Sequence, residues 1–408
     1  MIKSLRLVNW KSFADATLYI DPLTVVIGMN ASGKSNILDA LVFLQRIASG
    51  ATITAAIAGD NALPSLRGGL EFSARRPKHY FCITATIANP SNSDSNYEYS
   101  ISVLTNQTTA KIFSEELLIP ESNTALFTSE TRKDSQLLKT YFARGKQILP
   151  KRIDQNPFYS IISQTETMNI SKEIKSAARI VREKLQSIFI LDPIPSHIRD
   201  YAPLSETLKS DASNLAGVLA SLPENEKTDI ESTLTNYLKQ LPEKDIERVW
   251  TERVGKFQSD AMLYCEENWG ADGPQIVDAR GMSDGTLRFL AIVAALLTCK
   301  EGSLLVIEEV DNGLHPSRAD TLVEMLRTLG ARRSIDVIVT THNPALLNAL
   351  GPEMAPFISV THRDASGASA ITLLEDIEQL PKIMASGPLG RIVSEGRLET
   401  ALQAEAGR

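Results

Sequence analysis

Cysteine is scarce in this chain, and Cys82, Cys265 and Cys299 are scattered without metal-ligand spacing. That excludes a disulfide-stapled scaffold or a thiolate metal site, and each reads as a small buried hydrophobe in a reducing compartment. Long apolar runs are missing too. None approaches the ~20 residues of a membrane span, and the longest, residues 289–297, suits a buried helix. The opening MIKSLRLVNWKSF lacks the apolar core of a signal peptide. These absences predict a cytoplasmic protein with no membrane contact. There is no excess of positive charge either: the net charge is −7. The whole molecule is therefore no nucleic-acid coat, and any DNA contact has to be a local patch. No internal repeat, low-complexity tail or long heptad array is present, which argues against an extended coiled-coil arm. What is present, 408 residues with 43% hydrophobic and 22% charged, is enough for two or three domains or for one large domain carrying an insertion.

Strand patterns dominate residues 1–120. Residues 2–10 alternate, with Leu5 and Leu7 on one face, and residues 23–27 form an apolar run ending at Gly28. Such a run suits a central strand buried on both faces. Helical spacing follows it (Ile37, Leu38, Leu41, Leu44), and residues 80–87, 97–104 and 112–118 read as further strands. From 121 to 268 amphipathic helical stretches take over, over 170–189 and 215–241, interrupted by prolines including Pro157, Pro203, Pro223 and Pro242. The expectation there is a compact helical lobe. From 269 to 408 strand and helix alternate, which implies parallel strands with crossover helices.

Gly28-Met29-Asn30-Ala31-Ser32-Gly33-Lys34-Ser35 fits the pattern G-x-x-x-x-G-K-S/T in full, between a buried strand and an amphipathic helix. Gly28 and Gly33 let backbone N–H groups turn inward around phosphates. Lys34 can reach the β- and γ-phosphates, and Ser35 offers a hydroxyl to Mg²⁺. The helix N-terminus around Asn36 adds a favourable dipole. A second apolar strand, 304–307, delivers Glu308 and Glu309 to its C-terminal end. Glu308 is placed to hold Mg²⁺, and Glu309 to act as general base toward the attacking water. An apolar run followed by two acids can also be a strand ending at the surface. Its pairing with the phosphate loop favours the functional reading. Gly281-Met282-Ser283-Asp284-Gly285-Thr286 opens a strongly apolar helix whose N-terminus can bind an anion. A plain N-cap by Ser283 or Asp284 satisfies the same local chemistry.

Met282 to Thr286 resembles the ABC signature motif in the S-D-G-T version of RecF-, SMC- and OLD-like ATPases. Glu308-Glu309-Val310-Asp311-Asn312-Gly313-Leu314-His315-Pro316 resembles that family's joined Walker B and D-loop, and Thr340-Thr341-His342-Asn343-Pro344 its H-loop. The opening Ile2 to Phe13 is similar to the family's first strand. Asp284, Thr286, Glu308 and Val310 depart from the commonest residues, and no Q-loop glutamine is assignable, although Arg67-Gly68-Gly69 lies in that region. The resemblance implies an α/β fold: a P-loop ABC-type ATPase head of mixed sheet with flanking helices and N-terminal antiparallel strands, carrying the helical insertion. It implies ATP and Mg²⁺ as cofactors. It also implies a nucleotide site formed by Gly28, Asn30, Ala31, Ser32, Gly33, Lys34, Ser35 and Asn36 of one chain with Ser283, Asp284 and Gly285 of another. His342 is implied to contact the γ-phosphate. Dimerisation through ATP, as a homodimer or a higher even oligomer, follows from that composite site.

Residues 130–184 contain twelve Lys or Arg against six Asp or Glu, and Arg75, Arg76 and Lys78 form a second cluster. DNA backbone is one partner for such a patch, and an ordinary solvated helix face is the alternative. No acidic nuclease site follows the head, so cleavage would fall to a separate effector, a nuclease or toxin. The resulting expectation is a nucleotide-gated switch on DNA or on that effector in bacterial anti-phage defence. A repair or chromosome-maintenance ATPase and a non-hydrolysing scaffold that sequesters a toxin are the alternatives.

Overall fold

The computed structural model describes residues 1–131, 137–143, 151–241, 246–268 and 273–406. Its centre is the strand Leu23–Ile27, every residue of which is buried. Asp336–Thr340 pairs with it in parallel on one side and Ile358–Arg363 on the other. Leu304–Ile307 and then Ile188–Leu191 extend the parallel array beyond Asp336–Thr340. Ser369–Leu373 closes the opposite edge antiparallel, giving six strands. Burial on both faces explains the unbroken apolar runs. Val25, Ile27, Leu305 and Ile307 face the core that includes helix Asp284–Thr298, whereas Val26, Leu304 and Val306 face the core of helix Lys34–Ala48. Parallel strands all end on the same side, so Gly28, Glu308 and Thr341 are delivered to one edge of the sheet.

A second sheet of eight antiparallel strands runs in the order Asp15–Tyr19, Ile2–Val8, Tyr80–Ala88, Asn96–Thr105, Ala110–Ile119, Thr124–Glu130, Leu138–Phe142, Lys151–Gln155. Alternation along Tyr80–Ala88 buries Phe81, Ile83, Ala85 and Ile87 in the core shared with helix Lys34–Ala48. The N-terminal antiparallel strands and the mixed sheet agree with the expected head.

The insertion corrects one expectation. Residues 121–268 do not form a purely helical lobe. Their first part supplies the last three strands of the eight-stranded sheet, where Leu138, Thr140 and Phe142 are buried at a period of two. Helix Lys172–Gln186 and strand Ile188–Leu191 then return the chain to the parallel sheet. Helix Glu224–Lys239 begins only after Pro223, and the shorter Leu215–Ser221 precedes it. Ile246–Val254 and Asp260–Asn268 join Ala202–Pro203 and Pro274–Asp278 in a four-stranded sheet. The helical spacing was real, but β-branched and aromatic alternation over short stretches was outweighed by it. Pro242, Arg132, Lys133, Arg144 and Lys146 lie outside the described residues. Among the described residues, no helix is long and apolar enough to cross a membrane.

Candidate nucleotide site

The phosphate loop is shaped from behind. Gly28 and Gly33 have φ of 147° and 123°, and Ala31 between them is left-handed at 62°. A β-carbon on Gly28 would lie 2.2 Å from the Thr361 carbonyl oxygen, and one on Gly33 would lie 2.8 Å from Ser369 Oγ. These contacts come from the C-terminal strands. Thr361 Oγ1 donates to the Ile27 carbonyl at 3.0 Å and lies 2.6 Å from Ser32 Oγ, while Ser369 Oγ donates to the Ser32 carbonyl at 2.5 Å. Asn36 donates to Ser12 at 2.7 Å, and its carbonyl accepts from the Trp10 indole at 2.7 Å. Asn30 and Ala31 remain exposed at the lip.

Lys34 folds into the loop, its ammonium donating to the carbonyls of Gly28 at 2.6 Å and Met29 at 3.1 Å. Burial lowers its pKa, opposed by the negative charges of Glu309 and Glu308. Ser35 Oγ donates to Glu308 Oε1 at 2.6 Å. Two residues 273 positions apart in the chain thus meet as an oxygen pair. Arg67 forks the same carboxylate, with 3.1 Å to Oε1 and 2.5 Å to Oε2. Hydroxyl and carboxylate oxygens suit Mg²⁺, which typically takes one or two carboxylates plus substrate phosphates. That Glu308 already faces a guanidinium cation shows its oxygens turned toward positive charge. Among the described residues no larger His, Cys, Asp and Glu group could hold a metal.

Glu309 takes the left-handed conformation, φ 46°. Its N–H donates to Thr340 Oγ1 at 2.8 Å, and buried Arg288 donates to the carbonyls of Glu308 at 3.0 Å and Glu309 at 3.2 Å. Arg288 also donates to the Pro193 carbonyl at 2.8 Å. The signature helix is therefore bolted to the carboxylate pair within one chain. At its N-terminus Ser283 is the cap, accepting from the Thr286 N–H at 3.1 Å. Asp284 pairs with Arg199 at 2.7 Å, and a β-carbon on Gly285 would lie 2.8 Å from the Gly313 carbonyl. His342 is exposed just past Thr340 and has no side-chain partner among the described residues. His315 caps the following turn through Ser317, 2.7 Å away.

Lys34, Ser35, Glu308 and Glu309 therefore come together. Ser283 and Gly285 lie on a separate helix end, bonded locally. Arg67 had been noticed only for its place in the chain, and Thr340, Thr361 and Ser369 carried no local signal. The basic stretch looks different in three dimensions: Arg179 and Arg182 both pair with Glu166, and Lys175 donates to its carbonyl. Much of that positive charge is spent inside the protein.

Fold and site together define a P-loop ATPase head of the ABC type, in the form shared by SMC and RecF proteins. Residues 23–348 match the family described as "AAA domain, putative AbiEii toxin, Type IV TA system", and the chain belongs to that family. In three dimensions it is similar to an SMC head bound to the C-winged helix domain of ScpA, with TM-score 0.51 and 14% identity over 91% of this chain and 96% of that one. Short stretches are similar to the chromosome partition protein Smc: 41% identity over 70 residues in Rhodopirellula baltica and 36% over 100 residues in Mycolicibacterium paratuberculosis. The first covers 17% of this chain and 5% of the relative, the second 22% and 7%. The match thus spans under a tenth of the length of these curated relatives.

Proposed function

We propose that this protein hydrolyses ATP between two copies of itself and uses the cycle to switch a separate effector, a nuclease or toxin, or DNA, in defence against phage. The observation that carries the hydrolytic part is the 2.6 Å contact between Ser35 and Glu308 with Glu309 next in line. Lys34 and the loop N–H groups hold the β- and γ-phosphates, and Ser35 with Glu308 holds Mg²⁺. Bound Mg²⁺ supplies charge neutralisation on those phosphates. Glu309 accepts the proton of the attacking water as its oxygen bonds to the γ-phosphorus and the β–γ bridge breaks, leaving ADP and phosphate. Ser283 and Gly285 from the second copy close over the γ-phosphate, with His342 beside it. The family's toxin–antitoxin description supports the defence reading over chromosome maintenance.

Glu309→Gln tests the base. It should keep ATP binding and lose turnover by ~10²–10⁴-fold. An unchanged rate in a single-turnover assay would remove Glu309 from the role.

A further inference from the structure

Glu309 sits where the chain leaves the parallel sheet. Ile307 is the last residue of its strand in register, opposite Val339. The next amide, Glu308 N–H, takes the Leu191 carbonyl at 3.3 Å on the neighbouring strand. Glu309 N–H turns the other way and takes a side chain, the Thr340 hydroxyl at 2.8 Å. Val310 N–H then takes the Thr340 carbonyl at 3.1 Å. The left-handed φ of 46° causes the switch, because it swings the Glu309 amide out of the ladder. Thr340 is 1% exposed, so water is poorly placed to replace its hydroxyl.

The residue type carries the same message. Val337, Ile338 and Val339 precede Thr340 on a fully buried strand. A valine would fill the same volume there and leave the Glu309 N–H without an acceptor, which buried polar groups avoid. We infer that Thr340 is a positioning residue for the reaction: its hydroxyl holds the Glu309 peptide in the turn that aims the carboxylate at the nucleotide. It touches neither ATP nor metal, and it acts through Glu309. The inference rests on Glu309 being the general base.

The test compares Thr340→Val and Thr340→Ser in the full chain, with and without Glu309→Gln. Thr340→Val should lower kcat roughly 10²-fold while nucleotide Kd stays within about two-fold, since misplacing a catalytic group by about 1 Å costs that much. Thr340→Ser, which keeps the hydroxyl, should recover most of the rate. In the Glu309→Gln background, Thr340→Val should slow the residual turnover no further. Two results overturn the inference: an unchanged kcat in Thr340→Val, or an equal further loss in the Glu309→Gln background. Should Thr340→Val fail to fold, Thr340→Cys keeps the volume with a weaker acceptor, and an undiminished kcat there overturns it as well. Full turnover by Glu309→Gln alone sinks the base reading itself, a separate outcome from either of these.

Discussion

Arg67 and Glu308 show how much a single side chain decides at the residue scale. The guanidinium holds both oxygens of the carboxylate that, in the proposed mechanism, binds Mg²⁺. Two cations cannot take those oxygens together, so metal binding has to displace Arg67. The arginine is half exposed, and solvent screening reduces the strength of its pair with Glu308. Arg67→Ala should therefore lower the Mg²⁺ concentration for half-maximal ATP turnover by roughly five-fold, equivalent to ~1 kcal/mol. A Mg²⁺ titration at saturating ATP measures it. A midpoint that stays put or rises would mean that Arg67 does not compete for the metal site.

Elements matter through what stands behind them. The phosphate loop resembles many glycine loops in isolation, yet its shape here is fixed by strands Ile358–Arg363 and Ser369–Leu373 from the far end of the chain. Thr361 donates to the Ile27 carbonyl and meets Ser32 Oγ at the loop's back wall. Thr361→Val keeps the volume and removes both bonds. Each is worth about 1 kcal/mol, so ATP affinity should fall roughly five- to thirty-fold. Equilibrium binding of a fluorescent ATP analogue reads this directly, and an affinity equal to wild type would show that the loop holds its shape without the strut. Helix Asp284–Thr298 is supported in the same indirect way. Arg288 ties it to the carboxylate pair, and Gly285 lies so close to the Gly313 carbonyl that no larger residue fits without a shift.

At the scale of the whole molecule the question is whether the site is complete in one chain. Lys34, Ser35, Glu308 and Glu309 share one sheet edge. Ser283 caps its own helix, with its hydroxyl engaged only by Thr286 among the described contacts. Two-fold pairing would make two equivalent composite sites. Mixing Lys34→Ala protein with Ser283→Arg protein tests this, because each is inactive alone. In a mixed dimer one site carries both defects and the other neither, so up to about half of the wild-type rate per dimer should return if the sites act independently. No recovery, once mixed dimers are demonstrated by native mass spectrometry, would count against Ser283 acting across the interface.

Local sequence determined the parts whose physics is local. The eight residues from Gly28 to Ser35 announce a phosphate loop because a tight turn needs glycine and a phosphate needs a lysine within one helical turn. The strand ending in Glu308 and Glu309 announces itself because a strand covered on both faces must be apolar until it reaches solvent. Ser283 reads as a helix cap because the helix supplies the N–H group beside it. Tertiary structure alone decided the rest. Arg67 meets Glu308 across 241 positions of sequence, and Thr361 meets Ser32 across 329. Thr340 is indistinguishable from an ordinary buried β-branched residue until the Glu309 amide is seen on its hydroxyl. Residues 121–155 were misjudged for a related reason: short strands at a sheet's edge draw their stability from the neighbour they pair with, and that neighbour was already on the far side of a turn.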